Sequence, residues 1–439
     1  MGRIACKFGG TSVADASQFR RVKAIVASDA RRRVVVVSAP GKRNKQDPKI
    51  TDLLYLVHDM VGIKADWTPP FNQIRDRFLE IEKDLGISAG MDAELAQFRR
   101  EVLDGASRDY VAARGEYLSG RLMAAFLGAE FVDPREFVVI DAAGNVDPVS
   151  YPALAERMRD ESRLYVMPGF YGRDHHDKVK TFSRGGSDIS GAIAARAVMA
   201  VVYENWTDVS GLLMADPRVV DNPCHMDQVT YREIRELSYM GASVFHDEAI
   251  LPVREAGIPI NIKNTNRPQD PGTMIVPTFT TSKYKIAGIA GKKNFSMIGL
   301  EKSLMNKEVG FGYKVLGVLS EHGISFEHCP TSIDTMSIIL EDKELADPDR
   351  ADLVLEELKR VVNPDKIELV GDLALIAVVG EEMANTVGIA AKVFSALAAA
   401  DVNVRIINQG ASELNIIVGV AEADYEKAVR ALYQAFVAA

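Results

Sequence analysis

The hydrophobic pattern of the N-terminal part predicts an open α/β sheet. Ile4 to Phe8 is a short apolar run, and Phe19, Val22 and Ile25 then recur at helical spacing. The next apolar run, VVVVS at 34–38, is continuous rather than alternating. Such a run is typical of a strand buried on both faces of a parallel sheet with helices on each side. The pattern therefore predicts a mostly parallel sheet sandwiched by helices.

Two changes of pattern divide the rest of the chain. Residues 45–125 are mostly charged and helical, which we interpret as an insertion or lid beside the sheet, and short β-like runs such as FVVID and LYVMPGF follow. Near residue 284, after the turn-rich segment NTNRPQDPGT at 264–273, shorter strand and helix cycles begin. We predict that the first domain covers residues 1–283.

The C-terminal third contains an internal repeat. FSMIGLEKSLM (295–305) aligns with LALIAVVGEEM (373–383) at an offset of 78 residues, and no gap is needed over about 45 positions. Each copy reads strand, helix, strand, strand, helix, which is the ferredoxin-like plan. We predict two such domains, at 284–371 and 372–439. A duplicated module suggests paired ligand sites, with a purely structural tandem as the alternative.

Composition and charge limit the classes of molecule that the protein is expected to bind. The 52 Lys and Arg residues do not exceed the 61 Asp and Glu residues, and the net charge of -9 argues against binding nucleic acid or an anionic membrane. Three scattered cysteines fit a reducing compartment better than a disulfide framework. The N-terminus enters a strand directly, and no stretch offers about 18 uninterrupted apolar residues. We expect a cytoplasmic protein that acts on a small molecule.

Glycine-rich loops carry the candidate chemistry. In KFGGTS, residues 7–12, glycines at a strand end let the backbone approach an anion, and Lys7 adds a mobile charge. In TFSRGGSDIS, residues 181–190, Arg184 can grip a carboxylate or phosphate with two N–H groups, and Asp188 can hold a lysine or help bind a metal ion. Taken singly, each loop could also be an ordinary turn or helix cap.

The combination of loops favours a ligand site over ordinary turns. A third polar segment, ENWTDVSGLLMADPRVV at 204–220, also follows an apolar run. Three such loops are what an open α/β sheet needs to bind ligands beyond its strand ends. The chain has no GxxxxGK[ST] or GxGxxG pattern and no protein-kinase motif set, so a P-loop, Rossmann or protein-kinase site is excluded.

Together the motifs resemble the aspartate kinases. KFGGTSVAD, VVVVSAPGK, RGEYLSGRLMAAFL, GFYG, FSRGGSDIS, WTDVSG, DPRVV, MGASVFH and INQGASELNI occur along the whole chain in that family's order. The pair KFGGTS and RGGSD is specific within the amino acid kinase superfamily, and the duplicated tail resembles paired ACT domains. The resemblance implies Mg²⁺-dependent transfer of the ATP γ-phosphoryl group to the β-carboxylate of L-aspartate, the first step towards lysine, threonine and methionine. It also implies a monofunctional enzyme without a fused homoserine dehydrogenase.

The resemblance also implies roles for single residues. Lys7, Asp188 and Arg184 are the expected catalytic residues. Lys7 would contact the transferring phosphoryl group, Asp188 would orient Lys7 or support Mg²⁺ carried by ATP, and Arg184 would bind the α-carboxylate of aspartate. Glu116 would bind its ammonium group. The remaining substrate contacts are expected at Ser38, Thr51, Phe170 and Ser187. The nucleotide contacts are expected at Gly9, Gly10, Ser12, Thr207, Asp208, Asp216 and Arg218, besides Lys7.

For the tail, the resemblance implies an allosteric amino-acid site in the first copy. Its expected residues are Met305, Gly310, Phe311, Gly312, Phe326, Glu327, Thr331, Ser332 and Asp334. Either Glu327 or Asp334 would pair with the side-chain ammonium of lysine, which makes lysine the expected feedback inhibitor, acting alone or with threonine. The second copy has Asn408, Gln409 and Gly410 instead, so the copies are not equivalent. ACT pairing implies a homodimer or homotetramer.

Two alternatives stay open at this point. One is another kinase of the same superfamily, acting on N-acetylglutamate or UMP, and the other is a non-catalytic amino-acid sensor. Glu116 favours free aspartate over an N-acetylated substrate, because a carboxylate without an ammonium partner would be an unpaired charge. Lys7, Arg184 and Asp188 argue against the sensor.

Overall fold

The chain forms two compact units in a computed structural model that describes residues 2–183, 185–242, 247–278, 283–384 and 386–438, with residues 247 and 248 described by backbone alone. The N-terminal unit contains the described residues of Met1–Leu212, His225–Ile234 and Ser243–Thr280. The C-terminal unit contains the described residues of Leu213–Cys224, Arg235–Ala242 and Thr281–Ala439. Two short segments that precede residue 284 therefore belong to the C-terminal unit.

The N-terminal unit alternates strands and helices. Its elements are β1 (Ile4–Phe8), α1 (Ala16–Ala27), β2 (Arg32–Val37), α2 (Ile50–Gly62), α3 (Thr68–Leu85), α4 (Met91–Leu103), α5 (Arg108–Leu127), β3 (Glu130–Phe131), α6 (Pro134–Phe137), α7 (Ser150–Arg157), β4 (Tyr165–Pro168), β5 (Tyr171–Arg173), β6 (Val179–Thr181), α8 (Gly186–Ala197), β7 (Val202–Thr207), β8 (Gln228–Thr230), α9 (Tyr231–Tyr239), α10 (Leu251–Glu255), β9 (Ile260–Asn264) and β10 (Thr273–Val276). The second half of α9 belongs to the C-terminal unit.

An eight-stranded sheet organises this unit. Its strand order is β3-β4-β2-β1-β7-β9-β10-β8, and every neighbouring pair is parallel except β9 with β10. The strands β5 and β6 form a separate hairpin. Val34, Val35, Val36 and Val37 have no exposed surface, as a strand covered on both faces requires. The predicted mostly parallel α/β sheet is confirmed.

The helical stretch after β2 is part of the main core. Apolar side chains of α2, α3, α4 and α5 form one buried cluster with β1, β2 and α1. Phe71, Ile74 and Phe78 recur along α3 at helical spacing and are buried, and this amphipathic helix packs against α1, α2, α4 and α5. The segment we interpreted as an insertion or lid is thus packed firmly beside the sheet.

The C-terminal unit is built on a five-stranded antiparallel sheet. Its strand order is β12-β11-β13-β15-β14. The elements are β11 (Gly288–Glu301), α11 (Phe311–Glu321), β12 (Thr335–Glu341), α12 (Pro348–Val362), β13 (Lys366–Val379), α13 (Ile389–Ala399), β14 (Ile406–Asn408), β15 (Asn415–Ala421) and α14 (Tyr425–Tyr433).

The internal repeat has structural equivalents. Gly310 and Gly388 precede α11 and α13 with φ angles of 82° and 92°, in the left-handed region that favours glycine. Val315 and Val393, also 78 residues apart, are both fully buried. The third predicted element differs between the copies, since β14 has only isolated bridges around 328–331 as its counterpart. Pro330 contributes to this difference because it has no N–H for a ladder.

Both repeats share the two longest strands. Residues 288–292 of β11 pair with 375–379 of β13, and residues 297–301 of β11 pair with 366–370 of β13. The strand β12 lies beside the second half of β11, and β15 lies beside the second half of β13. Each 14-residue strand therefore serves both repeats. The boundary predicted at 371/372 falls inside β13.

Candidate active site

A buried lysine at the end of β1 is the centre of the candidate site. The parallel register of β1 and β7 sets Lys7 opposite Asn205. Lys7 Nζ lies 2.6 Å from Asp188 Oδ1 and 3.5 Å from Asn205 Oδ1, and Asn205 Nδ2 donates to the same Asp188 oxygen at 2.9 Å. Lys7 is only 7% exposed. Two strands and the first turn of α8 thus hold one cation in a fixed position.

The sequence interpretation missed Asn205. It comes two residues before Thr207 in ENWTD, and the only sequence signal is a polar residue inside an apolar run. Asn205 orients Asp188 through its amide N–H and contacts Lys7 through its oxygen. Both contacts of Asp188 use Oδ1, so its second carboxylate oxygen is available to a ligand.

Hydrogen bonds from three other segments of the chain hold the KFGGTS loop in place. The Gly9 N–H donates to the carbonyl of Trp206 at 3.0 Å, and the Gly10 carbonyl accepts the N–H of Gly41 at 2.8 Å. Ser12 Oγ and Thr265 Oγ1 are 2.7 Å apart, and Ser12 is buried. The Ser12 hydroxyl, predicted to contact the nucleotide, therefore has a protein partner.

The residues predicted to bind the amino-acid substrate are linked to Lys7 and Asp188 by a series of contacts. Ser38, at the end of β2, hydrogen-bonds through its hydroxyl to that of Ser187, the residue before Asp188. Gly169 lies against Ser187, because a Cβ at Gly169 would be 2.3 Å from the Ser187 Cβ. Phe170 has a φ of 76°, rare for a residue with a side chain, and its N–H donates to Ser190 Oγ at 2.9 Å.

Glu116 is a buried carboxylate with an unsatisfied oxygen. It lies on α5, is 5% exposed, and accepts a hydrogen bond from the backbone N–H of Ala39, next to Ser38. Its Oε2 has no hydrogen-bond partner among the described residues. Burial raises the pKa of Glu116 to about 8, more than the backbone hydrogen bonds lower it. Such a group favours a cationic ligand, which would return it to the ionised form. Thr51, half-buried in the first turn of α2, belongs to the helix packed beside α5.

The remaining nucleotide-side residues lie in different places. Thr207 ends β7, and its hydroxyl is 3.3 Å from Asp208 Oδ1. Asp216 and Arg218 belong to the C-terminal unit, where they form an ion pair of 2.6 Å and line a cavity of about 700 Å³ together with Tyr425. Arg184 and residues 243–246 of the MGASVFH motif lie outside the described residues.

The predicted effector residues lie between the end of β11 and the start of β12, and the Glu327 N–H donates to the carbonyl of Ile339 at 2.7 Å. Asp334 Oδ1 accepts the Leu304 N–H at 2.8 Å, which fixes the turn before the helix. Met305 and Phe311 are buried in the core of the first repeat. Gly310, Gly312, Phe326, Glu327, Thr331 and Ser332 complete the predicted set, and Phe326 is 40% exposed. Asn408 of the second repeat hydrogen-bonds to His328 at 3.0 Å.

Two features are absent from the described residues. No helix there is long and apolar enough to cross a membrane. In the same part of the chain, no group of three or more His, Cys, Asp and Glu side chains is placed to hold a metal ion.

Family models match both parts of the chain. Residues 2–264 match the amino acid kinase family, and residues 376–436 match the ACT domain.

Whole-chain relatives agree with these matches. The chain is 40% identical to aspartokinase 3 of Bacillus subtilis over 98% of both chains. It is 48% identical to the crystal structure of Clostridium acetobutylicum aspartate kinase, with a TM-score of 0.92 over 99% of this chain and 100% of that one. E. coli aspartokinase III, solved with aspartate and ADP and also with lysine and aspartate, gives TM-scores of 0.74 at 28% and 27% identity over 99% of both chains.

Proposed function

The chain belongs to the aspartokinases of the amino acid kinase family, whose members use ATP to phosphorylate the aspartate carboxyl group, and we propose the reaction in detail. The enzyme transfers the γ-phosphoryl group of Mg·ATP to the β-carboxylate of L-aspartate and forms 4-phospho-L-aspartate. The observation that carries this proposal is the buried Lys7 with its partners Asp188 and Asn205, linked through Ser187, Ser38 and Ala39 to the unsatisfied carboxylate of Glu116.

The chemistry needs charge neutralisation rather than a base. A β-carboxylate has an ordinary pKa near 4, so it is already an ionised nucleophile at pH 7. Lys7 supplies a fixed positive charge for the oxygens of the transferring phosphoryl group. Asp188 and Asn205 prevent Lys7 from turning away. Gly9 has no side chain, and a Cβ there would lie 3.5 Å from Lys7 Nζ, so a larger residue would crowd the charged group.

Mg²⁺ is expected to enter with ATP. It would neutralise charge on the β- and γ-phosphates. The free oxygen of Asp188 fits a supporting role, because both of its protein contacts fall on the other oxygen.

Glu116 supports aspartate as the acceptor. An ammonium group beside its unsatisfied oxygen would restore the charged form that burial disfavours. N-acetylglutamate and UMP carry no ammonium group. The proposed reaction is thus the first step of lysine, threonine and methionine synthesis, in the cytoplasm.

An acceptor comparison tests the proposed function. Turnover of Mg·ATP is measured with L-aspartate, N-acetylglutamate or UMP, and hydroxylamine traps the acyl phosphate. We expect turnover with L-aspartate alone. Turnover with another acceptor would assign the chain to that reaction, and no turnover with any of the three would leave the amino-acid sensor.

A glycine outside the KFGGTS loop is expected to control its position. A Cβ at Gly41 would lie 2.6 Å from the Gly10 carbonyl carbon and 2.8 Å from the Thr11 nitrogen, both backbone atoms that cannot turn aside. We expect Gly41→Ala to displace the loop and lower kcat/KM for ATP by about 10- to 100-fold. Steady-state kinetics with varied ATP measures this effect. The control is Gly62→Ala, where a Cβ meets nothing within 4 Å; equal kinetics of the two variants would contradict the loop's role.

Lysine is the proposed feedback inhibitor, bound at the first repeat, and the protein is proposed to be a dimer or tetramer joined through its ACT domains. Support comes from E. coli aspartokinase III, whose structure has been solved with lysine and aspartate. Inhibition requires that lysine bind a low-activity state more tightly than the active state.

Charge-neutral variants are expected to remove lysine sensitivity. Asp334→Asn keeps an oxygen for the Leu304 N–H but removes the charge that would pair with the lysine ammonium group. We expect Asp334→Asn or Glu327→Gln to raise the half-inhibitory lysine concentration by about tenfold or more while uninhibited kcat stays the same. Inhibition curves at fixed aspartate measure this. Exposed Glu356, on α12, gives the control variant Glu356→Gln; unchanged inhibition in both test variants would place the lysine site elsewhere.

A further inference from the structure

A second polar pocket lies in the N-terminal unit and shares no residue with the candidate active site. Residues of α4 and α5, with Asp133 and Arg135 at the start of α6, enclose a cavity of about 240 Å³. Most of its lining is polar or charged. The proposed phosphoryl transfer makes no use of this cavity.

Arg114 is a buried cation in the wall of this pocket. It lies on α5 and is 8% exposed. Its guanidinium group is stacked between two aromatic rings, 4.3 Å from the ring centre of Tyr110 and 4.1 Å from that of Tyr117. Stacking on both faces fixes the plane of the group but leaves the N–H groups at its edge without acceptors.

No described residue satisfies those N–H groups. Arg114 Nε is buried without a hydrogen-bond partner, and no hydrogen bond or ion pair joins the guanidinium group to any residue in the described ranges. A buried charged donor without an acceptor is costly, and native structures rarely keep one. An anionic group in the cavity would satisfy the edge of Arg114.

The carboxylates around the cavity already have other partners. Glu101 accepts the Tyr110 hydroxyl at 2.6 Å, and Glu94 lies 3.4 Å from Arg121. Asp133 Oδ1 accepts hydrogen bonds from the Tyr171 hydroxyl at 2.9 Å and from the backbone N–H of Arg135 at 3.0 Å. The three acids line the cavity, and none of them forms a hydrogen bond or ion pair with the Arg114 guanidinium group.

We infer that this pocket binds a small free α-amino acid, with its carboxylate on the edge of Arg114 and its ammonium group facing Glu94, Glu101 and Asp133. A planar guanidinium group matches a carboxylate with two parallel hydrogen bonds. A simple anion would meet Arg114 and Arg135 but also three carboxylates, whereas a zwitterion places a positive charge beside those carboxylates as well. The volume lies below the range of drug-sized ligands and suits a small amino acid.

Equilibrium dialysis of the full chain tests the inference. The probes are radiolabelled glycine, a minimal α-amino acid, and radiolabelled acetate, which keeps the carboxylate but lacks the ammonium group. Arg114→Met removes the N–H groups and keeps an unbranched chain between the tyrosines. The matched control is Arg108→Met on the same helix, because Arg108 also stacks on a tyrosine, Tyr55 at 4.3 Å, but is exposed outside the pocket.

Glycine should bind the wild-type chain and Arg108→Met equally, and Arg114→Met should weaken its binding by about thirtyfold or more. Acetate should bind more weakly than glycine. Equal glycine binding by Arg114→Met and wild type, or no binding to wild type, would leave Arg114 as a structural pillar between two tyrosines. Acetate binding as tightly as glycine would overturn the amino-acid assignment in favour of a simple anion.

Two further measurements keep the test decisive. If Arg114→Met does not fold, Arg114→Lys replaces it; lysine keeps the charge but cannot form the paired hydrogen bonds, so glycine binding should fall by about tenfold. Phosphorylation of aspartate, measured on the same samples, separates failure of this inference from failure of the proposed function.

Discussion

Lys7→Met is expected to lower kcat by about 100- to 1000-fold, or about 3–4 kcal/mol of transition-state stabilisation. Methionine has a similar length and fills the same buried space, so the change removes the charge with little loss of packing. Negative charge on the transferring phosphoryl oxygens would then lack its fixed cation. Asp188, 24% exposed, would remain beside the phosphates without its lysine partner and add repulsion.

The loss should fall on kcat rather than on ATP affinity, because the glycine backbone and the metal ion still hold the ground-state nucleotide. Single-turnover kinetics and direct ATP-binding measurements separate the two. Lys23→Met is the control, since Lys23 is exposed on α1 and stacks on Phe126. A kcat within about fivefold of wild type would mean that another group carries the transition-state charge.

Glu116→Gln is expected to stabilise the ligand-free protein and weaken aspartate binding. Burial raises the pKa of Glu116 to about 8, whereas the unfolded chain has a glutamate pKa of 4.5. Between these pH values the folded state holds a proton that the unfolded state has released. Ionisation therefore favours the unfolded chain increasingly as pH rises from about 4.5 to about 8. A neutral glutamine avoids this cost, which is about 3 kcal/mol at pH 7.

Substrate binding should change in the opposite direction. Without the carboxylate, the aspartate ammonium group loses its ionic partner, and KM for aspartate should rise by about thirtyfold or more. In the wild type, aspartate binding should release a proton from Glu116, so affinity should improve as pH rises towards about 8. Glu116→Gln should lose that pH dependence.

Thermal unfolding at pH 5, 7 and 8.5, with aspartate titrations at the same pH values, measures both effects. Glu204→Gln is an informative comparison, because Glu204 is equally buried but accepts hydrogen bonds from Arg32 at 2.8 Å and Trp206 Nε1 at 2.9 Å. Its replacement should destabilise the protein by leaving Arg32 with weaker partners. A Glu116→Gln variant that is also less stable at every pH would show that the carboxylate is satisfied by a group we have not identified.

Local pattern was sufficient to predict the sheet, the glycine loops and the repeat. A continuous run such as VVVVS and a fixed offset of 78 residues are properties of the chain itself. The residues that hold the site together were not predictable in this way. Asn205 meets Lys7 only through the register of β1 and β7, and Gly41 matters only because it lies against Gly10. Such contacts join segments far apart in sequence, and no single-sequence pattern records them.

The resemblance to aspartate kinases identified candidate site residues, but only the structure shows what surrounds them. Glu116 was expected to bind an ammonium group, but its unsatisfied oxygen and raised pKa depend on how α5 packs against Ala39. Arg114, two residues earlier, carried no sequence signal beyond its place in RGEYLSGRL. Only the structure shows that Arg114 lies against the rings of Tyr110 and Tyr117 and has no acceptor among the described residues.

The pairing of β11 with β13 also limits how this tail can be cut and exchanged. The β13 residues of the second repeat pair with residues 288–292, which precede the aligned first repeat at 295. One module is therefore nested inside the other along the chain. A truncation after residue 371 would remove the half of β13 that pairs with residues 288–292 and leave those residues without that partner. Grafting this tail onto another enzyme would therefore require a junction before Gly288 and transfer of both modules as one piece.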